Sequence, residues 1–207
     1  MSLTIIDHPL ARHYLTHLRD SATKPALFRT LARKLSTLIA IEASRSFRTT
    51  SVPVNTPLET ISADILVDDL VVIPILRAGL GMVDGIIELF PEVSVGYFGL
   101  ERDEKTAKAS SYYCKLPDLC GKTVLLVDPM LATGGSAASA LRDIFRQGPR
   151  SVKLLCIVAA PEGIAALMGE FPELDIFNSS QDRELDARKY ILPGLGDFGD
   201  RLYGTGG

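Results

Sequence analysis

The sequence lacks the surplus of positive charge that proteins bound to nucleic-acid backbones usually carry. It has 22 lysine and arginine residues against 25 aspartate and glutamate residues, and its net charge is −3. Affinity for nucleic acid rests largely on contacts between basic side chains and phosphates. We therefore expect no nucleic-acid partner.

Cysteine is scarce, and no two cysteines form a C-x-x-C pair. The chain has three, Cys114, Cys120 and Cys156. An odd number of unpaired cysteines is typical of a reducing compartment. We therefore expect a cytoplasmic protein, with Cys156 packed inside an apolar run as a core residue.

Uninterrupted apolar runs of membrane-spanning length are also missing. The longest apolar stretch, near residues 71–90, is broken by Arg77, Asp84 and Glu88. A membrane helix needs about 20 consecutive apolar residues. Residues 1–10 lack the basic start and apolar centre of a signal peptide. We expect neither a membrane partner nor a signal peptide.

The N-terminal third of the chain has helical periodicity. Apolar residues recur at helical spacing at Leu27, Leu31, Leu35, Leu38 and Ile39. This pattern predicts an amphipathic helix within residues 24–47. A shorter helix is predicted over residues 7–20, with Asp7 as its N-cap and Pro9 in its first turn. Residues 49–57 alternate and contain prolines, which predicts an edge strand or an arm.

From residue 70 onward, short runs of Val, Ile and Leu alternate with helix-like segments. The predicted strands are 70–76, 93–100, 123–130, 152–160 and 173–180, and the predicted helices between them are 81–90, 136–147 and 162–171. Such alternation favours an α/β fold with a mainly parallel central sheet and helices on both faces. A length of 207 residues suits a single domain spanning 1–207.

Polar residues follow three of the predicted strands. Arg77, Arg102 and Asp128 each lie where an apolar run ends. Ligands of open parallel sheets bind at the carboxyl ends of the strands. We therefore expect these three residues to converge at one edge of the sheet, although an arginine in a surface ion pair is the commoner alternative.

The loop after Asp128 combines glycines and hydroxyl side chains before a predicted helix. Residues 133–136 read Thr-Gly-Gly-Ser, without the lysine of the ATP-binding motif G-x-x-x-x-G-K-[ST]. A helix start offers free N–H groups and a positive dipole end, so the loop suits a phosphate. The alternative is a tight turn capped by Ser136. Asp128 favours the first interpretation, because it could bind the hydroxyls of a sugar phosphate.

Three further segments are distinctive. The polar block 103–118 is long for a connection, which indicates a functional loop. Residues 190–205 are rich in glycine but keep apolar anchors, so we expect an irregular segment that wraps a flat ligand rather than a simple tail. His13 and His17 have the i,i+4 spacing of a metal-binding pair, but without a third ligand they indicate an ordinary surface helix.

Four stretches resemble one family. "PILRAGLGM", "VDPMLATGGS", "VAAPEGIAAL" and "YILPGLGDFGDRLYGT" together are similar to the uracil branch of the type I phosphoribosyltransferases. The resemblance covers nearly the whole chain. It implies that the N-terminal helices and the C-terminal segment form a small hood over the sheet. It also implies the conversion of uracil and 5-phosphoribosyl 1-diphosphate (PRPP) to UMP and pyrophosphate with Mg²⁺, in pyrimidine salvage.

The resemblance also implies roles for individual residues. The PRPP-binding residues would be Arg77, Arg102, Asp128, Pro129, Met130, Leu131, Ala132, Thr133, Gly134, Gly135, Ser136 and Asp197. The uracil-binding residues would be Ile191, Gly196, Asp197 and Phe198, largely through the backbone. Asp128, Arg77 and Arg102 would be catalytic. No side chain would bind the metal directly, because PRPP oxygens and water would hold Mg²⁺.

Three positions differ from related sequences. Most type I members have a second acid where this chain has Pro129, whereas the uracil branch has proline. Many bacterial members have alanine where this chain has Phe198, so we expect altered packing behind the base. Residues 107–109 read Ala-Lys-Ala in place of a common Leu-x-Pro. Members of the family are commonly dimers or tetramers, and some are activated by GTP.

Two other functions remain open on the sequence alone. One is an RNA-binding regulator that uses the same fold to sense pyrimidine nucleotides, which the net charge of −3 disfavours. The other is a purine or orotate transferase, for which Pro129 and the segment 193–200 are atypical.

Overall fold

The computed structural model describes residues 2–102 and 109–205, except for the side chains of residues 101–102 and 109–111. A single 3₁₀ turn, Ser44–Ser46, follows the second helix. The helices and strands are, in chain order, β1 (Ser2–Ile5), α1 (Pro9–Arg19), α2 (Pro25–Ala43), β2 (Thr49–Asn55), β3 (Thr60–Leu66), β4 (Leu70–Leu76), α3 (Leu80–Leu89), β5 (Ser94–Val95), β6 (Tyr97–Arg102), β7 (Ala109–Lys115), β8 (Thr123–Val127), β9 (Met130–Leu131), α4 (Gly135–Phe145), β10 (Ser151–Ala159), α5 (Pro161–Glu170), β11 (Asp175–Gln181), β12 (Glu184–Leu185), β13 (Ile191–Leu192) and α6 (Phe198–Tyr203).

The predicted parallel sheet is confirmed. Its strand order is β1-β11-β10-β8-β4-β6-β7, with β5 added beside β4 and β9 beside β10. Every pairing is parallel except that of β6 with β7. The five residues of β8 are all buried. Strands covered on both faces are expected to be continuously apolar in this way.

The helices cover both faces of the sheet. Leu35 of α2, Ile86 of α3 and Leu202 of α6 belong to one buried cluster, together with residues of α1. Leu141 of α4 and Leu167 of α5 belong to the other. The N-terminal helices therefore pack with the C-terminal helix on one face of the sheet.

The ends of β4 and β8 mark the topological switch point. After β4 the chain passes through α3 to β6 on one side, and after β8 it passes through α4 to β10 on the other. The two strands are neighbours, with Pro74 opposite Val127. Connections that diverge from adjacent parallel strands leave a crevice at the carboxyl ends, where ligands bind.

Several details correct the sequence predictions near the N-terminus. The N-cap of α1 is His8, whose Nδ1 accepts a hydrogen bond from the Leu10 N–H at 3.1 Å, whereas Asp7 pairs with Arg12. In α2, Leu27 is 49% exposed, because Phe28 takes the buried position in the first turn. The remaining predicted apolar positions of α2 are buried or half-buried.

The predicted arm is an antiparallel hairpin of β2 and β3. Most of its side chains are exposed, and its ends are held together because Arg48 Nε donates to Asp68 Oδ1 at 2.7 Å. The polar block 103–118 was expected to be a loop, but residues 109–115 form strand β7 against β6. Residues 116–118 lie outside any helix or strand, as expected of a loop, and residues 103–108, including Ala107 and Lys108, fall outside the described residues.

The C-terminal segment was expected to be irregular, but it ends in helix α6. The Asp197 side chain caps this helix by accepting the Asp200 N–H at 2.9 Å. Phe198 and Leu202 are 2% exposed and anchor the helix in the core. Because the segment is rich in glycine, its sequence did not predict this short, well-capped helix.

Candidate active site

Two cavities join at the carboxyl ends of β4 and β8. The smaller, of about 90 Å³, is lined by Asp128 and residues 130–137. The larger, of about 380 Å³, is lined by Ala78, Met130, Ala132, Arg188, Lys189, Tyr190, Ile191, Gly196, Asp197, Phe198 and Gly199. Met130 and Ala132 line both. A cavity of about 370 Å³ at the opposite edge of the sheet, beside Leu70 and Lys122, contains none of the predicted site residues.

The smaller cavity lies at the start of helix α4. Gly134 is the N-cap, with φ of 80°, a conformation that glycine adopts without steric cost. The first helical hydrogen bond runs from the Ala138 N–H to the Gly134 carbonyl at 2.8 Å. The N–H groups of Ser136 and Ala137 therefore have no partner within the helix, and that of Gly135 donates only to Thr133 Oγ1 at 3.4 Å, so the helix start can bind an anion, aided by the helix dipole. The predicted alternative, a cap by Ser136, is wrong.

Helix α5 supports this cradle from behind through a close backbone approach. A Cβ atom at Gly163 would collide with the carbonyl oxygen of Ala132. Only glycine lets α5 pack this close to the loop. The position of the cradle therefore depends on Gly163, which lies in the stretch "VAAPEGIAAL" but is not among the predicted site residues.

Asp128 lies directly after β8 and lines the smaller cavity, two residues before Met130, which lines both cavities. Its Oδ1 accepts a hydrogen bond from the Met130 N–H at 3.3 Å. Burial raises the pKa of Asp128 to about 6, and the Met130 N–H only partly opposes this rise. A carboxylate that is costly to bury and faces a cavity is a typical functional group.

Pro129 interrupts the strand immediately after this acid. The residue is buried, and its carbonyl accepts hydrogen bonds from Ile157 N at 3.0 Å and Val158 N at 3.1 Å. The chain then resumes pairing with β10 as strand β9. Pro129 thus fixes the bend that exposes Asp128 and lies behind the cavities rather than in their walls, unlike the other predicted residues from 128 to 136.

Arg77 lies at the rim, directly after β4. Its side chain is exposed, and its carbonyl accepts a hydrogen bond from the Tyr203 hydroxyl at 3.3 Å. The Leu76–Arg77 peptide bond is cis. The neighbouring Ala78 lines the larger cavity, so Arg77 stands at its edge. The backbone of Arg102 ends β6, the strand next to β4, but the Arg102 side chain lies outside the described part of the chain.

The predicted base-binding residues all line the larger cavity. The ring of Phe198, however, points into the core, where it meets Phe28 edge-on with ring centroids 5.1 Å apart. Phe198 therefore offers the cavity its backbone. Five residues that line the larger cavity were not predicted as site residues: Ala78, Arg188, Lys189, Tyr190 and Gly199. Their only signal in the sequence is position, because three lie within the quoted stretches and two immediately precede one.

Three further predictions concern the burial of Cys156, metal binding by His13 and His17, and membrane-spanning helices. Cys156 is buried, as predicted. The rings of His13 and His17 meet edge-on at 4.7 Å, and residues 2–102 and 109–205 contain no cluster of three His, Cys, Asp or Glu side chains suited to a metal ion. Within the same ranges, no helix combines the length and apolar character needed to cross a membrane.

A family model and proteins of known name match nearly the whole chain. The family model described as uracil phosphoribosyltransferase matches residues 5–205. A protein of Symbiobacterium thermophilum named uracil phosphoribosyltransferase is 49% identical over 205 residues, which cover 98% of each chain. A protein of the same name from Clostridium tetani is 47% identical over 205 residues, again 98% of each chain.

Solved structures agree at the level of the fold. The AQ2163 protein from Aquifex aeolicus superposes with a TM-score of 0.93 and 37% identity, covering 97% of each chain. A hypoxanthine-guanine phosphoribosyltransferase from Bacillus anthracis gives a TM-score of 0.53 with 14% identity, covering 76% of this chain and 80% of that one. The second likeness shows a shared fold alone.

Proposed function

The chain belongs to the uracil phosphoribosyltransferase family, and we propose that its joined cavities transfer the phosphoribosyl group of PRPP to uracil, giving UMP and pyrophosphate in pyrimidine salvage. One observation carries this proposal. A phosphate-sized cradle at a helix start, lined also by Asp128, shares Met130 and Ala132 with a larger cavity that has a glycine-rich wall.

The smaller cavity suits the 5-phosphate of PRPP. The N–H groups at the start of α4 would donate to the phosphate oxygens, and Thr133 and Ser136 would add hydroxyl donors. Asp128, in the wall of the cradle, would accept hydrogen bonds from the ribose hydroxyls. Arg77 at the rim and Arg102 at the end of β6 would bind the pyrophosphate, because a guanidinium group matches phosphate oxygens in charge and geometry.

The larger cavity suits the base. Uracil presents alternating donors and acceptors, which backbone N–H and C=O groups can match. Ile191 and residues 196–198 line the wall of this cavity, and the ring of Phe198 is turned away into the core. Phenylalanine in place of a smaller residue therefore leaves room for uracil.

The reaction is a displacement at the anomeric carbon. The bond from this carbon to pyrophosphate breaks, a bond to uracil N1 forms, and the N1 proton leaves. Positioning and charge stabilisation would supply most of the rate, with Arg77 and Arg102 stabilising the leaving group. Asp197 is the candidate proton acceptor. Its Oδ1 caps α6, so Oδ2 would take this role.

The residues present fit a magnesium ion that arrives with the substrate. The described ranges contain no three-ligand metal cluster, but one carboxylate, Asp128, lies beside the cradle. Mg²⁺ keeps several waters and binds substrate phosphates, so PRPP oxygens and water would hold it without a direct side-chain ligand. When bound, it would neutralise charge on the pyrophosphate.

Three further properties complete the proposal. By resemblance to the family, we propose activation by GTP and assembly into a dimer or tetramer. The unpaired cysteines favour a reducing, cytoplasmic location.

A base-specificity screen tests the function. Purified protein is incubated with PRPP and Mg²⁺ and with uracil, cytosine, hypoxanthine, guanine or orotate, with and without GTP, and nucleotide and pyrophosphate are quantified. We expect UMP from uracil and no product from the other bases. Product from a purine or from orotate would overturn the proposal, and RNA binding without UMP formation would favour a regulator.

A further inference from the structure

A buried carboxylate outside the cavities organises the base-binding segment. Asp182 follows β11 and is 5% exposed. Its Oδ1 accepts hydrogen bonds from Arg19 Nη2 at 2.5 Å and Ser180 Oγ at 2.9 Å. Its Oδ2 accepts from Arg19 Nη1 at 2.9 Å and from the Gly194 N–H at 2.8 Å. Burial raises the pKa of Asp182, but these hydrogen bonds outweigh burial and hold the pKa below its usual range.

Arg19 and Asp182 together hold Gly194 from both sides. Asp182 accepts its N–H, and Arg19 Nη1 donates to its carbonyl at 2.9 Å. Gly194 lies between Ile191 and Gly196, which both line the larger cavity. The two charged side chains thus fix the middle of the segment assigned to uracil without reaching the cavity.

The backbone of Asp182 is bonded to β10, the strand that pairs with β9 at the start of the phosphate cradle. The Asp182 N–H donates to the Ala159 carbonyl at 2.8 Å, and Ala159 lies opposite Leu131 in the pairing of β9 with β10. Leu131 lines the smaller cavity. A single strand end therefore connects the cradle to the carboxylate that holds Gly194.

We propose that Asp182 and Arg19 are positioning residues for the base, setting the place of the uracil-binding backbone relative to the bound phosphoribosyl group. This inference rests on the proposed function. The pair contacts neither cavity, so its effect reaches the reaction through Gly194. Its loss should weaken the use of uracil and leave the binding of PRPP nearly unchanged.

Three variants separate positioning from a general role in folding. Asp182→Asn places an amide N–H₂ against the Arg19 guanidinium. Arg19→Lys keeps the positive charge, but the lysine ammonium lacks the planar guanidinium that donates to Asp182 and the Gly194 carbonyl at the same time. Ser180→Ala is the matched control, since it removes a partner of both charged groups but leaves both bonds to Gly194.

The KM for uracil is measured at saturating PRPP, the KM for PRPP at saturating uracil, and the urea midpoint for each variant. We expect Asp182→Asn and Arg19→Lys to raise the KM for uracil about tenfold, with the KM for PRPP within about twofold, and Ser180→Ala to change neither. If Asp182→Asn fails to fold, Arg19→Lys provides the test, because the Arg19 side chain is 25% exposed and its replacement disturbs the core less.

Equal rises in both KM values, or an unchanged KM for uracil in a folded variant, would overturn the inference. A wild-type protein that makes no UMP would instead refute the proposed function and this inference together. An active wild type with unaltered variants would refute only the positioning role.

Discussion

Replacing Asp128 with asparagine should stabilise the protein and impair its reaction at the same time. Burial raises the pKa of this carboxyl from 3.8 to about 6. The folded protein therefore holds the proton more tightly than the unfolded chain. The stabilisation linked to this proton is fully present below about pH 4 and is lost as the pH rises through about 6. At pH 8 the ionised carboxylate costs roughly 3 kcal/mol, which asparagine would not incur.

Urea unfolding at fixed protein concentration measures this effect. With an m-value of about 2–3 kcal/mol/M, we expect Asp128→Asn to raise the urea midpoint by about 1 M at pH 8. The gain should be roughly 1.5 kcal/mol smaller at pH 5, where wild type retains part of the proton-linked stabilisation. Asp84→Asn, at an exposed aspartate of α3, is the control. A gain independent of pH, or a less stable variant at pH 8, would refute the reasoning.

The same variant should lose activity despite its greater stability. Hydrogen bonds from ribose hydroxyls to a charged acceptor would be weakened, so kcat/KM for PRPP should fall about 100-fold or more. In wild type, kcat/KM for PRPP should rise with pH through about 6 as Asp128 ionises. Near-normal kinetics in Asp128→Asn would exclude the ribose-binding role.

Two other substitutions test the cradle and the cap. Gly163→Ala would force a collision with the Ala132 carbonyl, so the KM for PRPP should rise at least about tenfold. The control is Gly169→Ala in the same helix, where a Cβ meets nothing within 4 Å and the free energy of unfolding should rise by up to about 1 kcal/mol. Equal kinetics for the two variants would contradict the close approach. Asp197→Asn keeps a good N-cap for the Asp200 N–H, so the thermal midpoint should not change. If the carboxylate accepts the proton of uracil N1, kcat should fall about tenfold. An unchanged kcat would exclude Asp197 from the mechanism.

The strands and helices that have a regular apolar pattern could be predicted from the sequence. The apolar runs that became β4, β8 and β10 are buried on both faces, so their composition predicted a parallel sheet and the edge where Arg77 and Asp128 meet. Helix α6 could not be predicted in this way. It is six residues long and begins within a glycine-rich segment, and its cap and apolar anchors outweigh weak propensity.

Contacts between distant residues were equally inaccessible. The bond between Arg19 and Asp182 joins positions 163 residues apart, and neither residue belongs to a motif. Each would be read as an ordinary charged residue near the end of a helix or strand. Only the three-dimensional packing of α1 against the end of β11 shows that together they hold Gly194.

The site is built more from backbone than from side chains, and this explains which residues make it recognisable. The cradle depends on N–H groups at the start of α4, on the φ of Gly134 and on the missing Cβ of Gly163. Pro129 has no N–H, so it cannot continue the strand ladder, and its carbonyl bonds to β10 instead. With proline there, Asp128 is the one carboxylate among the described residues that line the smaller cavity, and the reaction should depend on it more than on any other acid.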